Sequence, residues 1–200
     1  MHALIVVSHP LNTSLTHSVA TVIAKGIAES NPENTFEIAD LMQEGFNPSF
    51  SASDVAAFQQ TGKTPPDVAA EQLRIDNADA LVLVFPIYWW SMPGLLKGWI
   101  DRVFSNGWAY EDTADGNVLK KLGHLPVHLI ALGAADQRTF EKHGYSDAFN
   151  AQIVHGIFDY CGAQVVTSEM LLMPELKTSE ACLEAGRNIG RRIFQDANIS

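Results

Sequence analysis

"ALVLVFPIYWWSMPGLLKGWIDRVF", residues 80–104, predicts a buried strand, an aromatic loop and an amphipathic helix in direct succession. Residues 80–85 are continuously apolar, which is typical of a strand covered on both faces. The following helix carries one apolar stripe, and Pro93 suits its first turn. We expect Asp101 and Arg102 to mark its polar side or a contact with a second subunit. The stripe comprises Leu95, Leu96, Trp99, Ile100, Val103 and Phe104.

The same alternation continues on both sides of this unit. The apolar patterns predict four more strands at 3–8, 35–40, 126–132 and 163–170, and helices at 14–30, 67–79, 146–162 and 179–194. Residues 41–66 form a polar excursion with one short helix near 53–60. Five strands alternating with helices indicate an α/β fold, with a mainly parallel sheet between two helical layers. In the absence of a linker or repeat, we expect residues 1–200 to form one domain.

Composition excludes some classes of function. The net charge of −10 argues against a nucleic-acid partner or an anionic membrane surface. It leaves anionic ligands possible, because backbone N–H groups bind them without side-chain charge. The two cysteines, Cys161 and Cys182, lack a metal-ligand or CxxC spacing. The chain begins directly with a strand and without a basic leader, so we expect a cytoplasmic protein.

In a parallel sheet the ligand lies beyond the carboxyl ends of the strands, where the strand order reverses. The loops after strands one, three and four, at 8–18, 86–94 and 132–140, are therefore expected side by side. The first loop offers His9, Thr13, Ser14 and Thr16 just before a helix. Two interpretations stay open for these hydroxyls: capping of the helix, or a phosphate site at its N-terminus. Neither a GxGxxG nor a GxxxxGK[ST] motif is present.

The second loop places Tyr88, Trp89 and Trp90 side by side, and Trp89 and Trp90 are candidates for core or subunit-interface anchors. The alternative is a wall against a flat conjugated ligand, with backbone amides at 86–90 bonding its polar edge. The third loop, 133–135, has small side chains that permit close backbone approach. A phosphate site, an aromatic wall and a small-residue loop together favour a flavin nucleotide.

"FPIYWWSMPGLLKGWIDRVF" closely resembles the signature of the NAD(P)H:quinone oxidoreductases of the flavodoxin-like superfamily. "SNGWAY" at 105–110 resembles the related flavoproteins that accompany glutathione-gated potassium efflux systems. The likeness extends to "HPLNTSLTH" in the first loop, to "HG" at 143–144 and to "YCG" at 160–162. It implies a flavodoxin-like three-layer sandwich, non-covalent FMN or FAD at the interface of a homodimer, and hydride transfer from NAD(P)H to a quinone by a ping-pong mechanism.

The resemblance also assigns residues to the flavin. The phosphate loop matches His9, Thr13, Ser14, Leu15 and Thr16; the isoalloxazine loop matches Pro86, Ile87, Tyr88, Trp89 and Trp90; the pyrimidine-edge loop matches Leu132, Gly133, Ala134 and Ala135. His143 matches the histidine that supports the reduced flavin. The family often has Thr-Thr-Gly-Gly at 132–135, and the segment from there to His143 is about two residues short. Phe140 lies near the position of the family's partner tyrosine and lacks the hydroxyl.

Three functions compete at this point. The first is a quinone reductase, and the second is a regulatory subunit of a membrane potassium efflux protein. The third, a flavodoxin-type electron carrier, is disfavoured because the bulky loop at 88–90 would crowd an exposed flavin edge. A homodimer is expected because Tyr88, Trp90, Trp108 and Tyr110 remain to be buried beside the helical stripe.

Overall fold

The computed structural model describes residues 1–113 and 115–195 and contains one central five-stranded sheet. The strand order is β2-β1-β3-β6-β7, and every neighbouring pair in it is parallel. The strand order reverses beside β1, so the chain crosses from one half of the sheet to the other there. The strands are β1 His2–Val7, β2 Thr35–Asp40, β3 Ala80–Pro86, β6 Pro126–Gly133 and β7 Gln164–Leu172; a separate hairpin pairs β4 Tyr110–Asp112 with β5 Val118–Lys120.

Helices cover both faces of this sheet, as the alternating pattern predicts. One core cluster joins alternate residues of β1 and β3 to α1 and α8, and the other joins the intervening residues to α4 and the π-helix. Both faces of β3 are fully buried, which explains its continuous apolar run. The helices are α1 Leu15–Ser30, α2 Ala52–Phe58, α3 Pro66–Asp76, α4 Gly94–Val103, α5 Gln137–His143, α6 Tyr145–Phe149, the π-helix Asn150–Asp159, α7 Met173–Leu176 and α8 Ser179–Arg192. The α/β three-layer fold is confirmed.

The region between β6 and β7 differs from the sequence expectation. A single helix over 146–162 was expected, whereas the structure has α6 followed by a π-helix. A further helix, α5, begins at Asp136, whose side chain accepts a hydrogen bond of 2.8 Å from the N–H of Thr139. It ends at Gly144, which adopts the left-handed conformation at φ 69°. The two caps define the ends of this seven-residue helix, which is too short to show a helical pattern of apolar residues in the sequence.

The expectation for Arg102 was wrong. Its side chain is buried, and its guanidinium donates to Asp54 at 3.0 Å and to Asp67 at 2.6 Å. Burial raises the pKa of Asp54, but hydrogen bonds from Ser51 and Arg102 outweigh it and hold that pKa below its ordinary value. The ion pairs tie the excursion before α3 to α4. A Cβ on Gly98 would lie 2.4 Å from the carbonyl oxygen of Pro48, so the excursion packs tightly on α4.

Three further observations concern membrane-spanning helices, metal ligands and cysteines in residues 1–113 and 115–195. None of their helices is long and apolar enough to cross a membrane. The same residues contain no cluster of three or more potential metal ligands. Cys161 and Cys182 are both buried free thiols, and burial raises the pKa of Cys161 to about 11. Burial also raises the pKa of Cys182, so it disfavours the reactive thiolate form of both residues.

Candidate functional site

The three predicted loops meet at the carboxyl ends of β1, β3 and β6, which are adjacent in the sheet. Two cavities lie among them. The larger has a volume of about 220 Å³ and is lined by Ile87, Trp89, Trp90, Gly133, Ala134, Ala135 and Phe140. The smaller has a volume of about 180 Å³ and is lined by Ser8, His9, Pro10, Met42, Tyr88, Pro93, Gly94 and Leu95. The loop after β3 thus contributes to both cavities.

A tight turn at 88–91 shapes this central loop. The backbone N–H groups of Tyr88 and Ser91 each donate to the other's carbonyl oxygen, at 3.0 and 3.1 Å. Trp89 and Trp90 between them both have positive φ, 48° and 66°. This geometry is a type I′ turn, which normally takes Asn-Gly. A bulky residue in the left-handed region of backbone conformation carries strain of about 1–3 kcal/mol, and such strain concentrates at functional sites.

The turn leaves two backbone donors open. Within the part of the chain that the structure describes, the N–H groups of Trp89 and Trp90 have no hydrogen-bond partner. The N–H groups of Ile87 and Tyr88 are occupied, by Leu132 at 2.7 Å and by Ser91. Pro86 has no N–H. Of the amides expected at 86–90, the two at the left-handed positions therefore remain available to a ligand.

The three consecutive aromatic rings face three different environments. Tyr88 is half exposed and lines the smaller cavity. Trp89 is 93% exposed, at the mouth of the larger cavity. Trp90 turns inward and stacks on Tyr145, with ring centroids 3.9 Å apart and planes at 13°. Trp90 therefore packs against a ring of its own chain, so its packing does not require a second subunit.

The first loop combines a helix cap with an open helix N-terminus. Ser14 is the N-cap of α1 and accepts a hydrogen bond of 3.3 Å from the N–H of His17, so the capping interpretation holds. The N–H groups of Leu15 and Thr16 in the first turn lack carbonyl partners inside the helix. Capping and anion binding are thus compatible here. Thr16 is buried, whereas Thr13 is exposed.

His9 and His17 complete the polar surroundings of this loop. Nδ1 of His9 lies 3.0 Å from the backbone nitrogen and 3.2 Å from the carbonyl oxygen of Leu11, so the imidazole is held against the loop backbone. His17 lies within 2.9 Å of the Ser14 hydroxyl through Nδ1 and 2.6 Å from Asp40 through Nε2. Sequence reasoning missed both His17 and Asp40. Their positions, in the first turn of a helix and at the end of β2, are the only signals that could have pointed to them.

The third loop, which follows β6, agrees only in part with the residues predicted from the sequence. Gly133, Ala134 and Ala135 line the larger cavity, and the N–H groups of the two alanines have no partner among residues 1–113 and 115–195. The side chain of Leu132 is buried in the core instead. A Cβ on Gly133 would come within 2.6 Å of Leu172 Cδ2, so a larger residue here would have to displace the end of the Leu172 side chain.

His143 lies apart from the lining of the cavity. It is exposed at the end of α5, and its ring lies 5.4 Å from that of Tyr145 at an interplanar angle of 27°. Phe140 does line the cavity and meets Trp90 edge-on at 5.4 Å. Tyr145 therefore joins His143 to the aromatic turn.

Residues 1–190 match the sequence model of a protein family that is described as having a flavodoxin-like fold. The chain belongs to this flavodoxin-like family. It is 30% identical over 172 residues to an uncharacterized NAD(P)H oxidoreductase of Haemophilus influenzae, covering 85% of this chain and 83% of the relative. It is 26% identical over 186 residues to NAD(P)H dehydrogenase (quinone) 1 of Cavia porcellus, covering 84% of this chain and 67% of the relative.

A solved structure agrees with this membership. The NAD(P)H:quinone oxidoreductase from Methanothermobacter marburgensis superposes with a TM-score of 0.84 at 25% identity, covering 96% of each chain. The resemblance carried by residues 85–104 is therefore confirmed at the level of the family.

Proposed function

We propose that this protein is a flavin-dependent oxidoreductase that transfers hydride from NAD(P)H to a quinone. The observation that carries the proposal is that Trp89, Trp90, Ala134 and Ala135, whose N–H groups have no partner among residues 1–113 and 115–195, all line one aromatic cavity. The names of the quinone-reducing relatives suggest the hydride donor and acceptor.

The residues present fit a flavin nucleotide. Its pyrimidine edge is rich in acceptor oxygens and nitrogens, which match the free amides of the two cavity loops. Its phosphate matches the N-terminus of α1, where the N–H groups of Leu15 and Thr16 and the helix dipole favour an anion. Further contacts are expected from His9, Thr13 and Ser14 beside the phosphate. FMN and FAD both satisfy this arrangement, and mass spectrometry of the released cofactor distinguishes them.

When bound, the flavin supplies a group that accepts hydride from NAD(P)H and passes it to the quinone. The chain's own contribution is to bind, orient and stabilise. The amides at 89–90 and 134–135 would act as fixed hydrogen-bond donors to the flavin's pyrimidine edge and would favour negative charge there. His143 lies outside the cavity lining and reaches this edge only through its contact with Tyr145, so its role as a hydrogen-bond donor there stays a proposal from the sequence resemblance. Ile87 and Phe140 line the cavity with apolar side chains, which would strengthen these electrostatic interactions by lowering the local dielectric constant.

We further propose that residues 1–200 form a single flavin-binding domain, and that two copies of the chain form a homodimer. An apolar groove of about 350 Å³ opens between α4, β4 and the π-helix, and Phe50, Phe58 and Tyr160 line it. These three side chains are 49%, 45% and 42% exposed, respectively. Exposed aromatic clusters of this kind are typical of interfaces. None of the predicted flavin residues lines the groove, so the interface must extend beyond it to include the flavin as the resemblance implies.

An absorption spectrum of the purified protein, followed by steady-state NADPH:menadione turnover, tests the function. A yellow protein with turnover supports a quinone reductase, whereas a yellow protein without turnover favours an electron carrier. A protein that stays colourless after addition of FMN and FAD contradicts the proposal. The membrane potassium efflux partner stays a prediction of the sequence resemblance, and co-purification with a transporter tests it.

A further inference from the structure

Tyr145 makes a contact that the proposed function does not use. Its ring stacks on Trp90 at 3.9 Å and lies 5.4 Å from the ring of His143. The edge of Phe140 completes the group, 6.2 Å from Tyr145 at an angle of 83°. The loop after β3 and the segment after β6 therefore meet through the ring of one residue. Two of its three neighbours, Trp90 and Phe140, line the larger cavity.

The Trp89–Trp90 turn needs such a contact because its backbone is strained. A type I′ turn places both central residues at positive φ, where a side chain with a Cβ is disfavoured. Trp89 offsets little of this strain, since its ring is 93% exposed. A hydrogen bond of 3.1 Å from Ser91 Oγ to Gln152 Oε1 anchors only the end of the turn. The packed ring of Trp90 is thus the main side-chain anchor of the two left-handed residues.

We propose that Tyr145 is a positioning residue whose ring holds Trp90, and with it the left-handed turn that presents the two open amides to the cofactor. The same ring orients His143 beside that turn. The inference rests on the proposed function for the identity of the ligand, but the coupling of Tyr145 to the turn is a property of the protein alone.

Flavin binding distinguishes the ring from the hydroxyl of Tyr145. The apoprotein is titrated with FMN and, separately, with FAD, and flavin fluorescence reports the Kd of each variant. Tyr145→Phe keeps the stacking surface, and we expect its Kd to stay within about twofold of that of the wild type. Tyr145→Leu removes the stack and should raise the Kd about tenfold, which corresponds to about 1.4 kcal/mol. An unchanged Kd in Tyr145→Leu overturns the proposal, as does an equal loss in Tyr145→Phe.

A double-mutant cycle in urea tests the same coupling without any ligand. Trp90→Gly removes both the stacked ring and the strain at φ 66°. Tyr145→Leu should therefore lower the unfolding midpoint clearly in the wild-type background and much less in the Trp90→Gly background. Equal shifts in both backgrounds overturn the positioning role. A wild-type protein that binds neither FMN nor FAD refutes the proposed function, and the urea cycle then still decides the role of Tyr145.

Discussion

Replacing Trp89 by asparagine should make the folded protein more stable and the cofactor site weaker. The indole is 93% exposed, so its removal uncovers almost no apolar surface that the fold buries. Its backbone lies at φ 48°, where an ordinary L-residue costs about 1–2 kcal/mol and asparagine is tolerated. The net gain is therefore about 1 kcal/mol, or about 2–4 °C in Tm for a chain of this size. Loss of ring contact with the flavin should raise its Kd about tenfold to a hundredfold, equivalent to about 1.4–2.7 kcal/mol.

Trp89→Ala is the matched control for this substitution. It removes the same ring, but alanine lacks the short polar side chain that lets asparagine tolerate the left-handed region, so it should lose flavin equally without the gain in stability. Thermal unfolding of the apoprotein measures the first effect and fluorescence titration the second. Sedimentation of each variant checks that the oligomeric state has not changed. If Trp89→Asn destabilises the fold by 1 kcal/mol or more, Trp89 packs against protein, and the argument that it serves a ligand is refuted.

The remaining predictions address the histidine, the buried ion pair and the groove. His143→Gln should retain flavin but slow flavin reduction by NAD(P)H about tenfold to a hundredfold, measured by stopped-flow bleaching; an unchanged rate makes His143 an ordinary surface residue. Arg102→Met leaves Asp54 buried without its partner and should cost about 3–5 kcal/mol in urea unfolding, whereas Lys97→Met, in an exposed pair, should cost about 0–1. Because the pKa of Asp54 is lower in the folded state, its carboxylate stabilises the fold above its ordinary pKa of 3.8, and this stability is lost as the pH falls through the folded pKa. An acid-unfolding curve that is the same for Asp54→Asn and the wild type would contradict this. Phe58→Asp should sediment as a monomer, and a persistent dimer would place the interface elsewhere.

The sequence predicts the layers of this fold well because burial imposes a clear pattern on them. The apolar run at 80–85 corresponds to β3, and the stripe from Leu96 to Val103 corresponds to the buried face of α4. The burial of Arg102 could not be predicted from its helix alone, since its partner Asp54 lies 48 residues earlier. The π-helix at 150–159 was likewise hidden, because its apolar pattern also suits an α-helix.

The candidate site was predictable as a place but not as a geometry. Parallel strands bring their following loops together, so the meeting of the three loops follows from the strand order. The left-handed turn does not follow, because a Trp-Trp pair contradicts the Asn-Gly preference by which such turns are recognised. The stack of Trp90 on Tyr145 joins residues far apart in the chain, and no local pattern announces it.

A chain with a net charge of −10 can bind an anionic cofactor because the opposing effects act over different distances. Repulsion from the diffuse surface charge is screened beyond about 8–10 Å at physiological salt, whereas amide hydrogen bonds act in direct contact. Four of the arginines, Arg74, Arg102, Arg187 and Arg191, are engaged in ion pairs away from the three loops. On the proposed function, backbone donors make the direct hydrogen bonds to the phosphate and the flavin edge, and they can do so only in a fixed conformation. If the proposed function holds, the residues that hold the backbone, Ser14 at the cap of α1 and Tyr145 behind the turn, should matter to binding as much as the residues in contact with the ligand.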